Sequence, residues 1–585
     1  MDVLMLALNS KYIHTNLAVR YLKEYSRQRG MENVDFVEYT INHRLPQVVD
    51  EIYRRRPAVL LLSCYIWNIE MMKGFAREYK KICPKTVIIA GGPEVSYNSR
   101  QVLLENRAID MVMAGEGEKP LYQLLEYFAG RRALEEVASL TYWKLGEVVS
   151  TPWEEEIDLA QLPFAYTDIE QLKNKILYFE TIRGCPFRCS YCLSSIIKNV
   201  RYMPLEQVFR YLQVFLDHRV QQVKFVDRTF NCSKEHAMAI WKYLAQHDNG
   251  ITNFHFELTA HLMDEEMLSF LKTVRQGLFQ FEIGVQSTNA QTIEEIRRTT
   301  STEKLLEVCR RIDKEKNIHL HLDLIAGLPW EGLESFGHSF DQVMDIWPQQ
   351  MQMGFLKILK GSLMEKNAGQ YGMVYSEKAP YQVYTTKWLD YDEMLLLKDM
   401  EEMVETYYNS GRFGEEIRFI LAGEPSIFRF FLEMGRSYVA QGLHLQKQSP
   451  EEKHTLLKDF YLTRRQENQD SLPFLKELCL YDICLHEKPK KLPDWVELRG
   501  NIPYREQISR FYETPELVRQ YLPEYEGEDP KRILKMAHLQ IFQFNVLERG
   551  AGPRKPEKRA LLFNYLARDL LGNARVWDVT SYFTF

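Results

Sequence analysis

The sequence has no surplus of positive charge. Its 585 residues include 74 Lys and Arg against 80 Asp and Glu, which gives a formal net charge of −6. Proteins that coat a nucleic-acid backbone need the opposite imbalance, so we expect no polymeric nucleic acid as a partner. A local basic pocket for a single phosphate stays compatible with this charge.

The sequence also lacks long apolar runs. None approaches the length needed to span a bilayer, and the first residues show neither the basic segment nor the cleavage site of a secretory signal. We therefore expect a cytoplasmic protein without membrane contact. No fixed-period repeat or low-complexity stretch occurs, and a hydrophobic content of 45% is enough for several buried cores.

Disulfide bonds are not expected either. The nine cysteines are an odd number, and six of them are scattered singly along the chain. In a reducing compartment such residues are more often buried thiols than disulfide partners. The other three cysteines lie within eight residues of one another.

Short apolar segments alternate with amphipathic helical patterns over residues 1–135. Strands are predicted at residues 3–7, 58–63, 87–90 and 110–114. This order is typical of an α/β fold with a doubly wound, Rossmann-like parallel sheet, in which ligands bind beyond the carboxyl ends of the strands. Residues 136–175 are predicted to form a hairpin and a linker.

A second series of alternating strands and helices covers residues 176–375. Its six strands are predicted at residues 177–181, 223–226, 253–258, 279–285, 319–325 and 354–359. Six units are too few for a closed eight-fold barrel and indicate a partial (β/α)6 barrel. Residues 376–585 are predicted to form a mainly helical C-terminal domain, with amphipathic helices at 401–408 and 561–571.

The cysteine triplet lies directly after the first strand of the second series. The sequence there reads Gly184-Cys185-Pro186-Phe187-Arg188-Cys189-Ser190-Tyr191-Cys192. Nine cysteines in this chain would produce the spacing by chance only about 0.002 times. Zinc is the main alternative ligand, but structural zinc prefers four ligands and no partner pair lies nearby. Three thiolates suit a [4Fe–4S] cluster with one open iron.

This Cys-x-x-x-Cys-x-aromatic-Cys motif after a barrel strand resembles the radical S-adenosylmethionine (SAM) superfamily. The resemblance implies that Cys185, Cys189 and Cys192 bind the cluster, that SAM binds the open iron, and that one electron cleaves SAM to a 5′-deoxyadenosyl radical. It further implies SAM contacts from residues on or near the barrel strands. These are Tyr191, Asp227, Glu282, Gln286, Ser287, Arg298, Ile325, Leu328 and Leu356.

Within that set, the resemblance distributes the roles along the chain. Tyr191 lies beside the adenine, and Ile325 and Leu328 belong to the turn that packs on it. Asp227 follows the second strand, where related enzymes hold the SAM amino group, although the common Gly-Gly-Glu form is absent here. Glu282, Gln286 or Ser287 would meet the ribose. Arg298 would pair with the SAM carboxylate, which a guanidinium suits geometrically.

The N-terminal domain resembles the cobalamin-binding domain of the B12-linked branch of this superfamily. The matching features are Gly91-Gly92-Pro93-Glu94 and Gly115-Glu116-Gly117-Glu118, where glycines would let the backbone approach a corrin closely. The lower-ligand motif Asp-x-His-x-x-Gly is missing, and so is the dinucleotide motif Gly-x-Gly-x-x-Gly. Some members of the branch bind cobalamin without a protein ligand, so the sequence leaves cobalamin binding open.

The whole chain resembles one subfamily of this branch, which has a C-terminal domain of unknown function and includes the queuine lyases of queuosine salvage. This resemblance implies release of the base queuine from queuosine or its 5′-phosphate after hydrogen abstraction from the ribose. It also implies an electron donor such as flavodoxin or ferredoxin. The substrate would be a small modified nucleoside or nucleotide.

Candidates for substrate contacts lie at the strand ends and in residues 355–362. They are Tyr12, His14, Asn16, Tyr65, Trp67, Asn68, Glu94, Arg228, Asn231, Lys357 and Lys360. Strand alternation would place either Lys357 or Lys360 inside the barrel. No residue is assigned a catalytic role beyond the cluster and SAM. Asn16 has a second interpretation as the cap of the following helix.

Three alternatives stay open at this point. The domain order also fits a cobalamin-dependent radical SAM methyltransferase. A methylthiotransferase would carry three further cysteines in the N-terminal domain, where only Cys64 and Cys83 occur, and Cys479 and Cys484 are too few for an auxiliary cluster. A corrinoid- or metal-sensing module is the non-enzyme alternative, but it leaves the SAM-type motifs on several strands unexplained.

Overall fold

The computed structural model describes residues 2–197, 199–464, 466–568 and 572–585. It divides into two compact units. The first unit comprises Met1–Phe336 with Gln352–Tyr391, and the second comprises Gly337–Met351 with Asp392–Phe585. The α/β fold class is confirmed, with a Rossmann-like domain, a partial barrel and a mainly helical C-terminal region.

Seven strands form the first sheet, in the spatial order β2–β1–β3–β4–β5–β6–β7. They are β1 (Val3–Asn9), β2 (Val34–Thr40), β3 (Val59–Ser63), β4 (Val87–Gly91), β5 (Met111–Met113), β6 (Leu140–Lys144) and β7 (Glu147–Ser150). All seven residues of β1 are buried, as expected of a central strand that is covered on both faces. The first five strands pair in parallel, whereas the β6–β7 hairpin adds an antiparallel edge.

Helices cover both faces of this sheet. They are α1 (Leu17–Arg27), α2 (Leu45–Arg55), α3 (Ile69–Ile82), α4 (Pro93–Ser96), α5 (Ser99–Glu105) and α6 (Glu118–Phe128). One apolar cluster packs α2, α3 and α5 on one face, and another packs α1 and α6 on the opposite face. Strand β2 was not predicted from the sequence, although the alternating polar and apolar residues of Val34–Thr40 are typical of a half-buried strand.

The barrel sheet has six strands in the order β15–β14–β13–β12–β11–β8. They are β8 (Ile176–Phe179), β11 (Gln222–Phe225), β12 (Asn253–Leu258), β13 (Phe279–Gln286), β14 (His319–Ala326) and β15 (Gln350–Phe355). A small antiparallel pair, β9 (Ile182–Arg183) and β10 (Arg201–Tyr202), brackets the cysteine triplet. The strands β8 and β11–β14 pair in parallel, each with the next, so the predicted partial (β/α)6 barrel is confirmed.

The elements around the barrel follow the expected alternation. They are α7 (Leu205–Asp217), α8 (Lys234–Gln246), α9 (Glu265–Leu271), α10 (Ala290–Glu295), α11 (Thr302–Glu315), α12 (Leu333–Met344), α13 (Leu363–Asn367), β16 (Val374–Tyr375) and β17 (Val383–Thr385). The prediction of a sixth strand at residues 354–359 was wrong by about four residues. The alternating Gln350-Met351-Gln352-Met353 segment forms the strand instead, so Lys357 and Lys360 both lie beyond its end.

The second unit is mainly helical. Its elements are α14 (Tyr391–Met403), a π-helical turn (Val404–Asn409), α15 (Gly414–Leu421), α16 (Ile427–Ala440), α17 (Pro450–Arg464), α18 (Leu472–His486), α19 (Arg505–Glu513), α20 (Pro515–Tyr521), α21 (Pro530–Met536), β18 (Ala537–Phe542), β19 (Arg559–Arg568) and β20 (Ala574–Asp578). Among the described residues, none of the helices combines the length and apolar character that a bilayer span requires.

One helix prediction in this unit was wrong. The described part of residues 561–571 is not helical but belongs to β19, the central strand of an antiparallel sheet with β18 and β20. Leu561, Leu562 and Phe563 are consecutive buried residues because both faces of β19 are covered. Such a run reads equally well as one turn of a buried helix, so periodicity alone could not distinguish the two.

Candidate functional site

The cysteine triplet begins at a glycine that no other residue can replace without strain. Gly184 has a φ of +94°, and a Cβ atom there would lie 2.1 Å from the carbonyl oxygen of Asn199. Left-handed backbone and close approach both favour glycine. Further along the loop, the Ser190 amide donates to the carbonyl of Ile296, and the Met364 amide donates to the carbonyl of Ser190. The loop is therefore fixed at both of these points.

A buried carboxylate ties the start of the loop to the neighbouring strand. Asp227 follows β11 and has no exposed surface. Its Oδ1 accepts from the amides of Thr181 (2.7 Å) and Ile182 (2.8 Å), and its Oδ2 accepts from the Thr181 hydroxyl (2.7 Å). Burial raises the pKa of Asp227 to about 7, although these hydrogen bonds oppose the rise.

This geometry gives Asp227 a different role from the predicted contact with the SAM amino group. Both of its oxygens are occupied by the chain, and the side chain borders no open space. Asp227 therefore positions the segment that leads into Cys185.

A second set of charges links the loop to the N-terminal domain. Arg183 lies next to Gly184 and pairs with Glu118 (2.6 Å) and Glu180 (2.7 Å). Arg201, on β10, pairs with Glu116 and donates to the carbonyl of Ile157. The two glutamates of the Gly115–Glu118 motif thus bind the arginines on either side of the triplet.

The three thiols fit a cluster that leaves one iron open. Cys185 Sγ lies 3.5 Å from Thr229 Oγ1, and Cys189 Sγ lies 3.9 Å from Arg298 Nη1. Burial raises the pKa of Cys189, and the Arg298 guanidinium opposes this rise. A cation beside a buried thiol favours the thiolate, which is the form that binds iron.

Tyr191, Ile325 and Leu328, which were predicted to contact the adenine, lie on one apolar cluster together with Leu356, a further predicted SAM contact. Leu328 and Leu356 are buried within it, while Tyr191 and Ile325 pack against it and stay partly exposed. Tyr191 also lies 3.4 Å from Arg298 through its hydroxyl. Tyr191 and Ile325 therefore provide the exposed surface for a planar ring. Leu328 and Leu356 belong to the buried cluster against which these two residues pack.

The residues predicted to meet the ribose and carboxylate divide into two groups. Gln286 and Arg298 both approach Gly284. A Cβ on Gly284 would lie 1.9 Å from Gln286 Nε2, and Arg298 donates to the Gly284 carbonyl at 2.5 Å. Ser287 is fully buried and accepts from the Asn289 amide, so it caps a turn instead of lining a cavity.

Glu282 lies deeper along β13 and has charged partners of its own. Its Oε2 is 2.8 Å from Lys224 Nζ and 3.1 Å from His255 Nε2. Despite burial, the neighbouring His255 and Lys224 hold the pKa of Glu282 well below its usual range. Glu282 is thus an ionised member of a salt bridge, whereas the resemblance implied a contact with the ribose.

The polar lining around this pair was not predicted from the sequence. Lys224 on β11 pairs with His255 on β12, which pairs with Gln280 on β13. Two residues further along the strands, Glu257 pairs with Glu282, which pairs with His321 on β14. The alternate residues of the same strands, such as Phe254, Phe256, Phe279, Phe281 and Leu320, are buried. Because side chains alternate across a strand, one face of the barrel sheet is polar and the other apolar.

The pattern was visible in the strands His319-Leu320-His321-Leu322-Asp323 and Asn253-Phe254-His255-Phe256-Glu257. Burial lowers the pKa of His321 to about 4, and it raises the pKa of Asp323 well above its usual range. His321 Nε2 and Asp323 Oδ1 lie 3.3 Å apart. Uncharged imidazoles and a readily protonated carboxyl therefore accompany the Lys224–Glu282 pair.

Arg228 is a candidate substrate residue that interacts electrostatically with two of the three thiols. Its side chain is exposed, and the charges that act on it belong to Glu257, Cys192, Tyr65 and Cys185. Within the described part of the chain, this side chain makes no hydrogen bond or ion pair. A guanidinium in this setting has its donors free for an anion.

Three asparagines have structural roles instead of the predicted substrate contacts. Asn16 caps α1 by accepting from the Val19 amide at 3.2 Å. Asn68 accepts from the Tyr65 amide and donates to the carbonyls of Leu8 and Ser63. Asn231 exchanges two hydrogen bonds with the backbone of Thr259. All three are at least 95% buried, which leaves no surface for a ligand.

The aromatic candidates lie at the carboxyl ends of β1 and β3. His14 Nδ1 is 2.7 Å from the Tyr178 hydroxyl, so it joins the first loop to the barrel. The rings of Tyr65 and Trp67 stack at 4.4 Å, and Trp67 donates to the Leu8 carbonyl. Tyr12 and Trp67 expose 72% and 44% of their surface, so rings remain accessible here.

The loops after β4 and β5 are covered by the chain itself. Buried Glu94 accepts a hydrogen bond from Tyr381, and Lys360 lies over the Tyr381 ring while pairing with Glu365. Lys357 is exposed beyond the strand end. Strand alternation was predicted to place Lys357 or Lys360 inside the barrel. That prediction was wrong, because neither lysine belongs to the strand.

The glycines of the two motifs are packed closely by the chain's own atoms. A Cβ on Gly92 would lie 2.5 Å from the Cys64 carbonyl oxygen, and one on Gly115 would lie 2.9 Å from the Trp153 ring. The Gly361 segment packs equally closely on Tyr97. Glycine is thus required at both positions by packing within the chain, so neither motif needs a corrin to explain it. The exposed rings after β1 and β3 do not conflict with one.

The Asp227 contact leads to a direct prediction. Asp227→Ala leaves two buried amides and one hydroxyl without an acceptor, and we expect a loss of about 3 kcal/mol in the free energy of unfolding. It should also lower the iron bound after anaerobic reconstitution, because the start of the loop is released. Urea denaturation and iron analysis measure both quantities.

Asp227→Asn is the matched control. Its carbonyl can still accept from both amides, and its NH₂ group can donate to the Thr181 hydroxyl. We expect iron binding close to that of the unmodified protein. Equal iron content in the Ala and Asn variants would contradict the positioning role.

Comparison with known families divides the chain into three parts. The B12 binding domain family matches residues 3–125, and the radical SAM superfamily matches residues 179–343. The family described as "Protein of unknown function (DUF4080)" matches residues 369–563.

Curated relatives align with about half of the chain. The cobalamin-dependent radical SAM methyltransferase TokK of Streptomyces tokunonensis is 26% identical over 49% of this chain and 45% of its own length. The anaerobic magnesium-protoporphyrin IX monomethyl ester cyclase of Rubrivivax gelatinosus is 22% identical over 57% of this chain and 62% of its own length. The match thus spans less than two thirds of each relative.

Solved structures share the fold over a longer part. The cobalamin-dependent SAM radical enzyme OxsB, with aqua-cobalamin and SAM bound, has a TM-score of 0.60 at 15% identity and covers 80% of both chains. The radical SAM methyltransferase TsrM from Kitasatospora setae has a TM-score of 0.55 at 16% identity, covering 64% of this chain and 76% of its own. With the cysteine loop and the three family matches, the chain belongs to the radical SAM superfamily and combines a B12-binding domain, a radical SAM domain and a C-terminal DUF4080 domain.

Proposed function

We propose that this chain is a radical SAM enzyme that acts on a small polar substrate bound at the charged side of its barrel. The observation that carries the proposal is the fixed loop with Cys185, Cys189 and Cys192, together with the Arg228 guanidinium, which has no ion-pair partner among the described residues. When bound, a [4Fe–4S] cluster and SAM would supply a 5′-deoxyadenosyl radical for hydrogen abstraction.

The chain's own residues would hold and shield these groups. Cys185, Cys189 and Cys192 would supply the thiolates. Tyr191 and Ile325 would offer the surface for the adenine, and Arg298 would offer a cation beside the cluster. The polar groups of the barrel would fix the substrate while buried walls exclude water.

Arg228 offers a cation for an anionic group on the substrate. Lys224 is already paired with Glu282, whereas Arg228 has its donors free among the described residues. A guanidinium binds carboxylate or phosphate through two parallel hydrogen bonds. We therefore place a substrate carboxylate or phosphate at Arg228.

Methyl transfer is the reaction that the comparisons favour. TokK and TsrM are named as methyltransferases, and the N-terminal domain matches the B12 binding family. The alternative interpretation of the sequence, a cobalamin-dependent radical SAM methyltransferase, is thus better supported than queuine release. The roles assigned to the chain's own residues involve the cluster, SAM and the substrate.

Release of queuine from queuosine or its 5′-phosphate is the second candidate, and one observation favours it. Tyr381 covers Glu94, the Cys64 backbone covers Gly92, and Trp153 covers Gly115. This packing would make the N-terminal domain a wall of the substrate site. A 5′-phosphate would supply the anion for Arg228. An external one-electron donor is needed in both reactions.

A single assay separates the two reactions. The anaerobically reconstituted full-length protein is treated with hydroxocobalamin, desalted, and incubated with dithionite, SAM and queuosine 5′-phosphate. Methyl transfer predicts about one corrinoid per chain and S-adenosylhomocysteine among the products. Queuine release predicts 5′-deoxyadenosine and queuine without retained corrinoid. The variant with Cys185, Cys189 and Cys192 all changed to Ala is the control, and product formation by it would contradict the proposal.

Arg228→Gln tests the substrate class. The exposed side chain has no fixed partner among the described residues, so the fold should tolerate the change. We expect KM for an anionic substrate to rise at least about tenfold, since a charged hydrogen bond contributes about 1.5–3 kcal/mol. Cleavage of SAM without substrate should stay unchanged. A weakened affinity for SAM with an unaltered KM for the substrate would contradict this assignment.

A further inference from the structure

Three buried side chains of the second unit come together from three helices. Glu416 belongs to α15, His454 to α17 and Cys479 to α18. Their exposed fractions are 0%, 4% and 0%. One carboxylate oxygen, one imidazole nitrogen and the thiol sulfur all lie within 4.8 Å of one another. The cluster lies in the region matched by DUF4080 and takes no part in the proposed SAM chemistry.

The contacts around the cluster leave one donor atom unused. One oxygen of Glu416 pairs with His454 Nδ1, whereas Oε1 has no hydrogen-bond partner among the described residues. A buried carboxylate oxygen without a partner is costly in an apolar setting. The ring of Phe413 lies 4.4 Å from the His454 ring and forms part of that setting.

Asp482 is not available to the cluster, although it is also fully buried. Its carboxylate accepts from the amides of Glu415 (3.0 Å) and Glu416 (2.9 Å). It therefore fixes the first turn of α15 and orients the Glu416 side chain. The nearby Cys484 of the same helix is also buried but is not part of the three-residue set.

The set of donor atoms matches the preference of zinc. Zn²⁺ binds thiolate, imidazole and carboxylate together, usually with four donor atoms. A thiolate and a carboxylate carry two negative charges, which a divalent cation balances inside the core. Coordination through both oxygens of Glu416 would supply the fourth donor and satisfy Oε1. The competing arrangement keeps protons on the thiol and the imidazole, so that the Glu416 carboxylate has the imidazole and the weak thiol donor of Cys479 as partners.

We propose that Glu416, His454 and Cys479 bind one zinc ion that joins α15, α17 and α18. This site is separate from the cysteine triplet. Because it requires a single thiolate, the small number of cysteines that argues against a second iron–sulfur cluster does not argue against a zinc site. Its role is structural, because the ligands have almost no exposed surface.

The test is zinc content. The full-length protein is produced with zinc in the medium, reconstituted with iron and sulfide, passed over a chelating resin and analysed for metals. We expect about one zinc per chain, and a loss of at least about fivefold in Cys479→Ala. Cys484→Ala, which removes another buried cysteine of α18, should keep its zinc. The variant lacking Cys185, Cys189 and Cys192 should lose iron and keep zinc.

A second measurement covers the case in which Cys479→Ala does not fold. Cobalt is exchanged into the variant that lacks the cysteine triplet, so that iron–sulfur absorption does not interfere. A thiolate-to-cobalt charge-transfer band and tetrahedral d–d bands are expected. Zinc below about 0.2 per chain together with no cobalt–thiolate band would overturn the proposal, as would unchanged zinc in a folded Cys479→Ala protein.

Discussion

The site depends on one buried carboxylate. Asp227 holds two amides and a hydroxyl at the point where the first barrel strand turns into the cysteine loop. The backbone bond from the Val226 amide to the Phe179 carbonyl joins the ends of β8 and β11, and Asp227 extends this connection to Thr181 and Ile182. Gly184 then allows the sharp turn, and Arg183 fastens the same segment to Glu118. Three thiolates can meet one cluster only if this segment is held in a single conformation.

The second constraint is the division of the barrel sheet into a polar and an apolar face. Aromatic side chains such as Phe256 and Phe281 fill the apolar face and stabilise the sheet by burial. The opposite face is free to carry Lys224, Glu257, Glu282 and Asp323. On this face, neighbouring charged groups shift one another's pKa values. Residues that stabilise the sheet thus alternate along the same strands with the polar residues of the proposed substrate site.

The sequence was most informative where the spacing of residues has a single chemical explanation. The cysteine triplet and the alternating strands were sufficient to predict the fold class and the superfamily, and family comparison confirmed both. The roles of single polar residues were harder to predict. Asn16, Asn68 and Asn231 look like ligands in a sequence, but each saturates nearby backbone groups, which only the folded geometry reveals.

Two other features could not have been found from local patterns. The cover over Glu94 comes from Tyr381, which is far away in the chain, and the Glu416–His454–Cys479 set joins three separate helices. The continuous apolar run in β19 resembled a helix because both faces of that strand are buried. In each case, contacts between distant segments decided the outcome, and a single sequence carries no direct signal for them.

Electron paramagnetic resonance of the reduced, reconstituted protein is the most direct test of the cluster at the cysteine triplet. We predict the signal of a reduced [4Fe–4S] cluster and a change in its g-values when SAM is added, since the iron without a thiolate is open to SAM. Loss of that signal in the variant without Cys185, Cys189 and Cys192 would complete the assignment. A cluster signal that does not respond to SAM, or zinc bound by these cysteines in place of iron, would contradict it.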